Sequence, residues 1–254
     1  MTTAIDHRAA VAAETAAFVE AVRSADLATA VPTCPGWALS DLVRHAGSVQ
    51  RWFATLLRQR IQEQPRSRDV DLKLPADPKA LPGWLADSAV EAADAFATIE
   101  SDAPMWAWGA DQHARFWARR MLFETLVHRV DAELALGLSP VIDRRLAADG
   151  VAEFLVNLPF AALFAPGTAE LRAADRTIRF SCTDGDGDWL VRLRPDGFGI
   201  DPEASNADRA DATVQAPAAD LLLLLYGRLD RTAPGIRAGG DGALLDLWFA
   251  HSAF

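Results

Sequence analysis

Apolar residues recur at helical spacing through most of the first 140 positions, then give way to short alternating runs. Ala9–Arg23 is alanine-rich, with Val11, Phe18, Val19 and Val22 as its larger apolar residues, and this predicts a first helix. VPTCPGW (Val31–Trp37) holds two prolines and a glycine and predicts a turn. A second helix follows over Leu39–Gln62, with Leu42, Ala46, Val49, Phe53 and Leu56 on one face and His45 at its border. Arg66–Pro82 is polar, contains three prolines, and reads as a crossing loop. Gly83–Ile99 predicts a third helix, carrying Trp84, Leu85, Val90 and Phe96. After the loop PMWAWG (Pro104–Gly109), His113–Gly137 predicts a fourth, stopped by Gly137 and Pro140. Four helices with one long crossing predict a four-helix bundle in which two neighbouring helices run parallel.

Beyond Pro140 the texture changes. Arg144–Leu158 predicts a fifth helix ending at Pro159. TIRFSC (Thr177–Cys182) and WLVRLR (Trp189–Arg194) alternate apolar and polar residues around TDGDGD, which predicts a hairpin. Gly197–Ile200 and Ala212–Val214 read as further short strands, and Ala218–Tyr226 and Ala243–Phe249 as closing helices. The expected fold class is α+β and mostly helical: a bundle over residues 1–142, then a small domain with a short antiparallel sheet over 143–254.

Composition narrows the partners. A net charge of −10 with no charged tail argues against nucleic acid or an anionic membrane. The longest uninterrupted apolar run, Leu221–Tyr226, is too short to span a bilayer, and the N-terminus lacks the pattern of a secretory signal. Two distant cysteines, Cys34 and Cys182, suggest no disulfide framework. A cytoplasmic, reducing setting is the expectation.

The fourth helix breaks its own pattern. Glu124 and His128 are four apart, about 40° apart around a helix, and Asp131 follows three later on the same stripe. Trp117, Met121 and Ala135 continue that stripe, so a carboxylate and an imidazole there point into a core unless something binds them. An E-x-x-x-H pair alone is common on solvated faces. Here His45, on another bundle helix, offers a third donor, and two imidazole nitrogens with one carboxylate match a catalytic zinc set that leaves a position open. Nickel or iron suits the same ligands. Asp131 reads either as an outer acceptor behind the metal set or as the partner of a nearby arginine.

Other patterns fail. TDGDGDW begins like a calcium loop but has Trp189 where the glycine belongs and Pro195 where the last glutamate belongs. GIRAGGDGALL (Gly235–Leu245) has no G-K-[ST], and its Asp241 reads as a helix cap. No G-x-S-x-G is present. Cys34 reads as a small buried hydrophobe in preference to a catalytic thiol.

VPTCPGWALSDLVRHAG, followed about 80 residues later by RRMLFETLVHRVDAELALG, resembles the mycothiol-dependent maleylpyruvate isomerase family. The resemblance implies a DinB-like bundle followed by that family's small α+β domain. It implies that His45, Glu124 and His128 hold a divalent metal, zinc above others, with mycothiol or another low-molecular-weight thiol at the open position. A coordinated thiol is deprotonated, and the thiolate is the nucleophile. In the isomerase it adds to a conjugated cis double bond, rotation follows, and elimination gives the trans product; in S-transferase relatives it displaces a group or adds without elimination. A small-molecule substrate of carboxylic-acid type is expected, and the resemblance leans towards a monomer. The family's C-terminal domain supplies a basic residue, for which Arg228 is the candidate catalytic group; a helix-end arginine bound to backbone carbonyls is the competing explanation. Trp84, Trp106 and Trp108 read as core aromatics with a place at the cleft as the alternative. Two other readings stay open on the same three ligands: a hydrolase using metal-bound hydroxide, and a non-catalytic metal-stabilised binding protein.

Overall fold

The computed structural model describes residues 4–65, 70–205 and 209–253. The chain divides into two compact units, Met1–Val141 and Ile142–Phe254.

The first unit is built on α1 (His7–Val22), α2 (Leu39–Gln59), α3 (Leu81–Ala97) and α4 (Ala114–Ala135). Asp6 starts α1 by accepting from the Ala9 amide, and Asp41 closes the first turn of α2 by accepting from Ala38 N–H. α2 ends at Gln59, three residues short of the predicted Gln62. Arg60 there turns left-handed, at φ 47°, and its amide returns to the carbonyls of Leu56 and Leu57. α1 packs on α3 and α4, and α2 packs on the same two helices. One apolar cluster joins the end of α1 (Val22), the start of α2 (Leu39, Leu42), the start of α3 (Leu81, Leu85) and the end of α4 (Ala132). So α1 and α4 run one way, and α2 and α3 the other. The parallel α2–α3 pair requires a link as long as a helix, and residues 60–80 supply it. Residues 66–69 of the expected crossing loop lie outside the described residues.

The second unit opens with α5 (Arg144–Asn157), capped by Asp143 accepting from the Arg145 and Leu146 amides. β1 (Arg176–Cys182), β2 (Asp188–Arg194), β3 (Gly197–Ile200), β4 (Ala212–Ala216) and β5 (Arg237–Gly240) form one sheet of order β3-β2-β1-β4-β5. TDGDGD is the β1–β2 turn, with Gly185 and Gly187 both at positive φ. The sheet is larger than the alternating pattern predicts, and it is not wholly antiparallel. β4 pairs parallel with β1, because the chain leaves β3 at one edge and returns on the far side of β1. β5 escapes sequence reading because RAGG carries no apolar alternation; all four of its residues are exposed at the sheet edge. α6 (Ala218–Leu225) and α7 (Gly242–His251) pack on β1 and β4, and Trp248 of α7 seats on Phe180 and Phe198. Asp241 caps α7 by accepting from the Leu244 amide. The helical stretch Arg144–Leu163 is long and apolar enough to span a bilayer by length and composition alone, and half of its apolar window is buried inside the protein.

Candidate metal centre

The P-G-W segment folds as a tight loop at the bundle end where α2 begins and α4 finishes. Val31 N–H donates to the Trp37 carbonyl at 2.9 Å, Cys34 N–H to the Val31 carbonyl at 3.0 Å, and Trp37 N–H to the Cys34 carbonyl at 3.0 Å. Gly36, at φ +85°, permits the reversal. Two turns into α2, His45 reaches across to α4.

Three donor atoms converge there. His45 Nε2 lies 2.9 Å from Glu124 Oε1, and His128 Nε2 lies 3.4 Å from the same oxygen. The ligand atoms of the three residues all fall within 4.8 Å of one another. The outward atoms of Glu124 and His128 are engaged by other groups. Glu124 Oε2 accepts from Arg120 Nη2 at 3.3 Å, and His128 Nδ1 meets Asp131 Oδ2 at 2.9 Å. The side chains grade from solvent to core: His45 is 34% exposed, Glu124 26%, His128 12% and Asp131 0%. Trp37 tilts over His45 at 5.1 Å between ring centroids and stacks on His128 at 6.4 Å, while the two imidazoles meet edge-on at 4.8 Å.

The electrostatics follow from this packing. Burial pushes the Glu124 carboxyl up, but hydrogen bonds from His128 and His45, with the positive charges of His128 and Arg120, hold it well below the usual carboxylate range. Burial pushes the His128 imidazole down, yet its bonds to Asp131, Cys34 and Glu124 hold it well above its ordinary value. Two imidazole nitrogens and one carboxylate oxygen, with Glu124 and His128 held from behind by Arg120 and Asp131, are the donor chemistry a divalent cation such as zinc takes. The residues fit the group.

His45, Glu124, His128 and Asp131, singled out by the sequence, thus come together. Cys34 differs from its reading as a small hydrophobe: it is half-buried, and its Sγ lies 3.5 Å from Asp131 Oδ2. Arg120 is missed by sequence reading, since the second of two adjacent arginines resembles a surface residue; it is 2% exposed. Its only signal is the four-residue spacing to Glu124. Trp84, Trp106 and Trp108 serve packing: Trp84 is 6% exposed, and Trp106 and Trp108 join an aromatic cluster with Phe116 and Trp117. Arg228 belongs to the second unit, half-buried just after α6, where its Nη1 donates to the Tyr226 carbonyl at 2.7 Å. That bond is of the helix-end kind.

A four-helix bundle with a two-histidine, one-glutamate cluster, followed by a small α+β unit, defines a class of two-domain proteins with a metal-type site in the bundle. The particular family is that of the mycothiol-dependent maleylpyruvate isomerases, to which this chain belongs: the mycothiol maleylpyruvate isomerase N-terminal domain matches residues 8–133 and the MDMPI C-terminal domain residues 145–247. The family is one of enzymes. Two solved structures share the fold: the mycothiol-dependent maleylpyruvate isomerase, 14% identical, and a histidine-to-alanine variant of it, 13% identical. Each covers 92% of both chains at a TM-score of 0.63. No curated protein matches the sequence.

Proposed function

We propose that this chain is a metal-dependent, low-molecular-weight-thiol isomerase acting on a small unsaturated acid, with mycothiol as the thiol. The observation that carries the reading is the convergence of His45 Nε2, Glu124 Oε1 and His128 Nε2 in a member of this family. A divalent cation held by these three would act as a Lewis acid that keeps a thiol deprotonated at neutral pH. The chain's own residues do the rest. His45 spans from α2 to α4 and fixes the separation of the two helices at the site. Arg120 holds Glu124 Oε2, so a single oxygen faces the histidines. Trp37 lies against both imidazoles and excludes water from that side. The reaction class is cis–trans isomerisation of a conjugated acid, as the name of the structural relative describes for that enzyme.

The test is metal content by elemental analysis after zinc loading, wild type beside His128→Ala, with turnover of maleylpyruvate followed with and without mycothiol. Near-stoichiometric metal in the wild type, its loss in the variant, and turnover only with thiol are expected. A wild type that retains no metal would overturn the metal assignment, and turnover without any thiol would overturn the thiol chemistry.

A further inference from the structure

His128 engages both ring nitrogens, and only one of them faces the other two donors. Nε2 lies toward Glu124 Oε1 at 3.4 Å, while Nδ1 lies 2.9 Å from Asp131 Oδ2. A carboxylate accepts and does not donate, so the hydrogen between Nδ1 and Oδ2 belongs to the ring. Asp131 is wholly buried, a costly place for an acid unless its oxygens are met. Cys34, 97 positions earlier in the chain, approaches the same oxygen at 3.5 Å as a thiol donor. The loop that carries Cys34 also carries Trp37, whose ring stacks on His128. The imidazole is thus held along its plane by Asp131 and across its face by Trp37.

We infer that Asp131, seated by the Cys34 thiol, is the positioning residue that fixes His128 in the tautomer and orientation presenting Nε2 to the metal site. The consequence for metal affinity rests on the metal-binding reading above, while the Nδ1–Asp131 contact stands without it. A carboxylate behind a ligating histidine also raises the basicity of the ligating nitrogen. The Cys34–His128–Asp131 group itself has the spacing of a ligand set. His128 already turns Nε2 toward the first set, and Asp131 is wholly buried, so this group serves as a hydrogen-bonded brace for it.

The experiment uses the full chain, with zinc titrated against a chromogenic chelator in the wild type, Asp131→Asn and Cys34→Ser. Asp131→Asn is expected to weaken zinc binding by about 10–100-fold. Cys34→Ser, which keeps a hydroxyl donor for Asp131, is expected to stay within about threefold of the wild type. Equal affinity in Asp131→Asn and wild type, at equal melting temperature, overturns the inference. Because a change at a fully buried acid can prevent folding, the ring nitrogens of His128 are also read by NMR in the metal-free wild type. A hydrogen-bonded, downfield proton on Nδ1 is expected, and an Nδ1 without a proton overturns the inference. A wild type that binds no zinc overturns the functional reading instead, and the Nδ1 proton still decides whether the ring donates to Asp131.

Discussion

Gly47 of α2 lies directly against the indole of Trp84 on α3: a Cβ built on Gly47 would come within 2.3 Å of a ring carbon. The indole cannot retreat, because its N–H donates to the Leu72 carbonyl at 2.9 Å and the Arg51 guanidinium covers its ring at 5.2 Å. Arg51 in turn binds Ser88, so the same 37-residue offset pairs 47 with 84 and 51 with 88. That constant offset is the register of two parallel helices.

Gly47→Ala is therefore expected to destabilise the bundle by about 1–3 kcal/mol through overpacking, even though alanine is the better helix former. Urea unfolding measures it. Combining Gly47→Ala with Trp84→Phe should cost less than the two single changes added together; strict additivity would show that the contact is not the cause.

Gln50 sits in the bundle core with Nε2 donating to Thr15 Oγ1 at 3.0 Å and Thr125 Oγ1 at 3.3 Å, while its Oε1 has no partner among the described residues. Methionine has similar volume and removes the orphaned oxygen along with the donors. Gln50→Met should change stability by less than about 1 kcal/mol, whereas Gln50→Ala should lose about 2–4 kcal/mol to the cavity. Denaturant midpoints separate the two, and a methionine variant as damaged as the alanine one would contradict this account.

Arg120 is buried and faces a carboxylate that is a quarter exposed. Arg120→Met should cost the metal-free protein about 1–3 kcal/mol, less than a fully buried pair would, because water reaches Glu124. Zinc should recover most of that loss by restoring positive charge beside the carboxylate. Melting curves with and without zinc check this; a deficit that zinc leaves untouched would mean the guanidinium acts elsewhere.

Asp211 should contribute to the acid sensitivity of the second unit. The backbone N–H of Thr177, with the Arg176 guanidinium, holds its carboxyl below the usual carboxylate range against the opposing effect of burial. A folded-state value below the unfolded one, about 3.9, means stability that is present above that pH and drains away as pH falls toward the folded value. Asp211→Asn should thus be less stable than the wild type at pH 7, with the gap closing below about pH 4. Unfolding free energies across pH 2–7 test the sign; a gap that widens in acid would refute it.

The parts of the fold legible in the sequence were those governed by local periodicity. α3, α4 and α5 stand within two residues of where their apolar spacing predicts them, and Asp241 caps α7 as its position suggests. What escaped depended on partners distant in sequence. The parallel pairing of β1 with β4 joins Ile178 to Ala212, and no local pattern encodes which strand a returning chain will meet. At the site, the three converging donors could be proposed from helix faces, since each face is a local property. Arg120 and Cys34 could not, because their roles appear only when a neighbouring carboxylate shows which way each side chain turns.

His45 and Glu124 are 79 positions apart, on helices that face each other only after the crossing segment has closed. Neither helix alone carries the site: one offers a single imidazole, the other an imidazole and a carboxylate. An ion bound to all three would be a removable crosslink between α2 and α4, and its grip would grade with how completely the bundle has assembled. Metal uptake during refolding would then serve as a clock for tertiary assembly, silent while helices form and rising only when they dock.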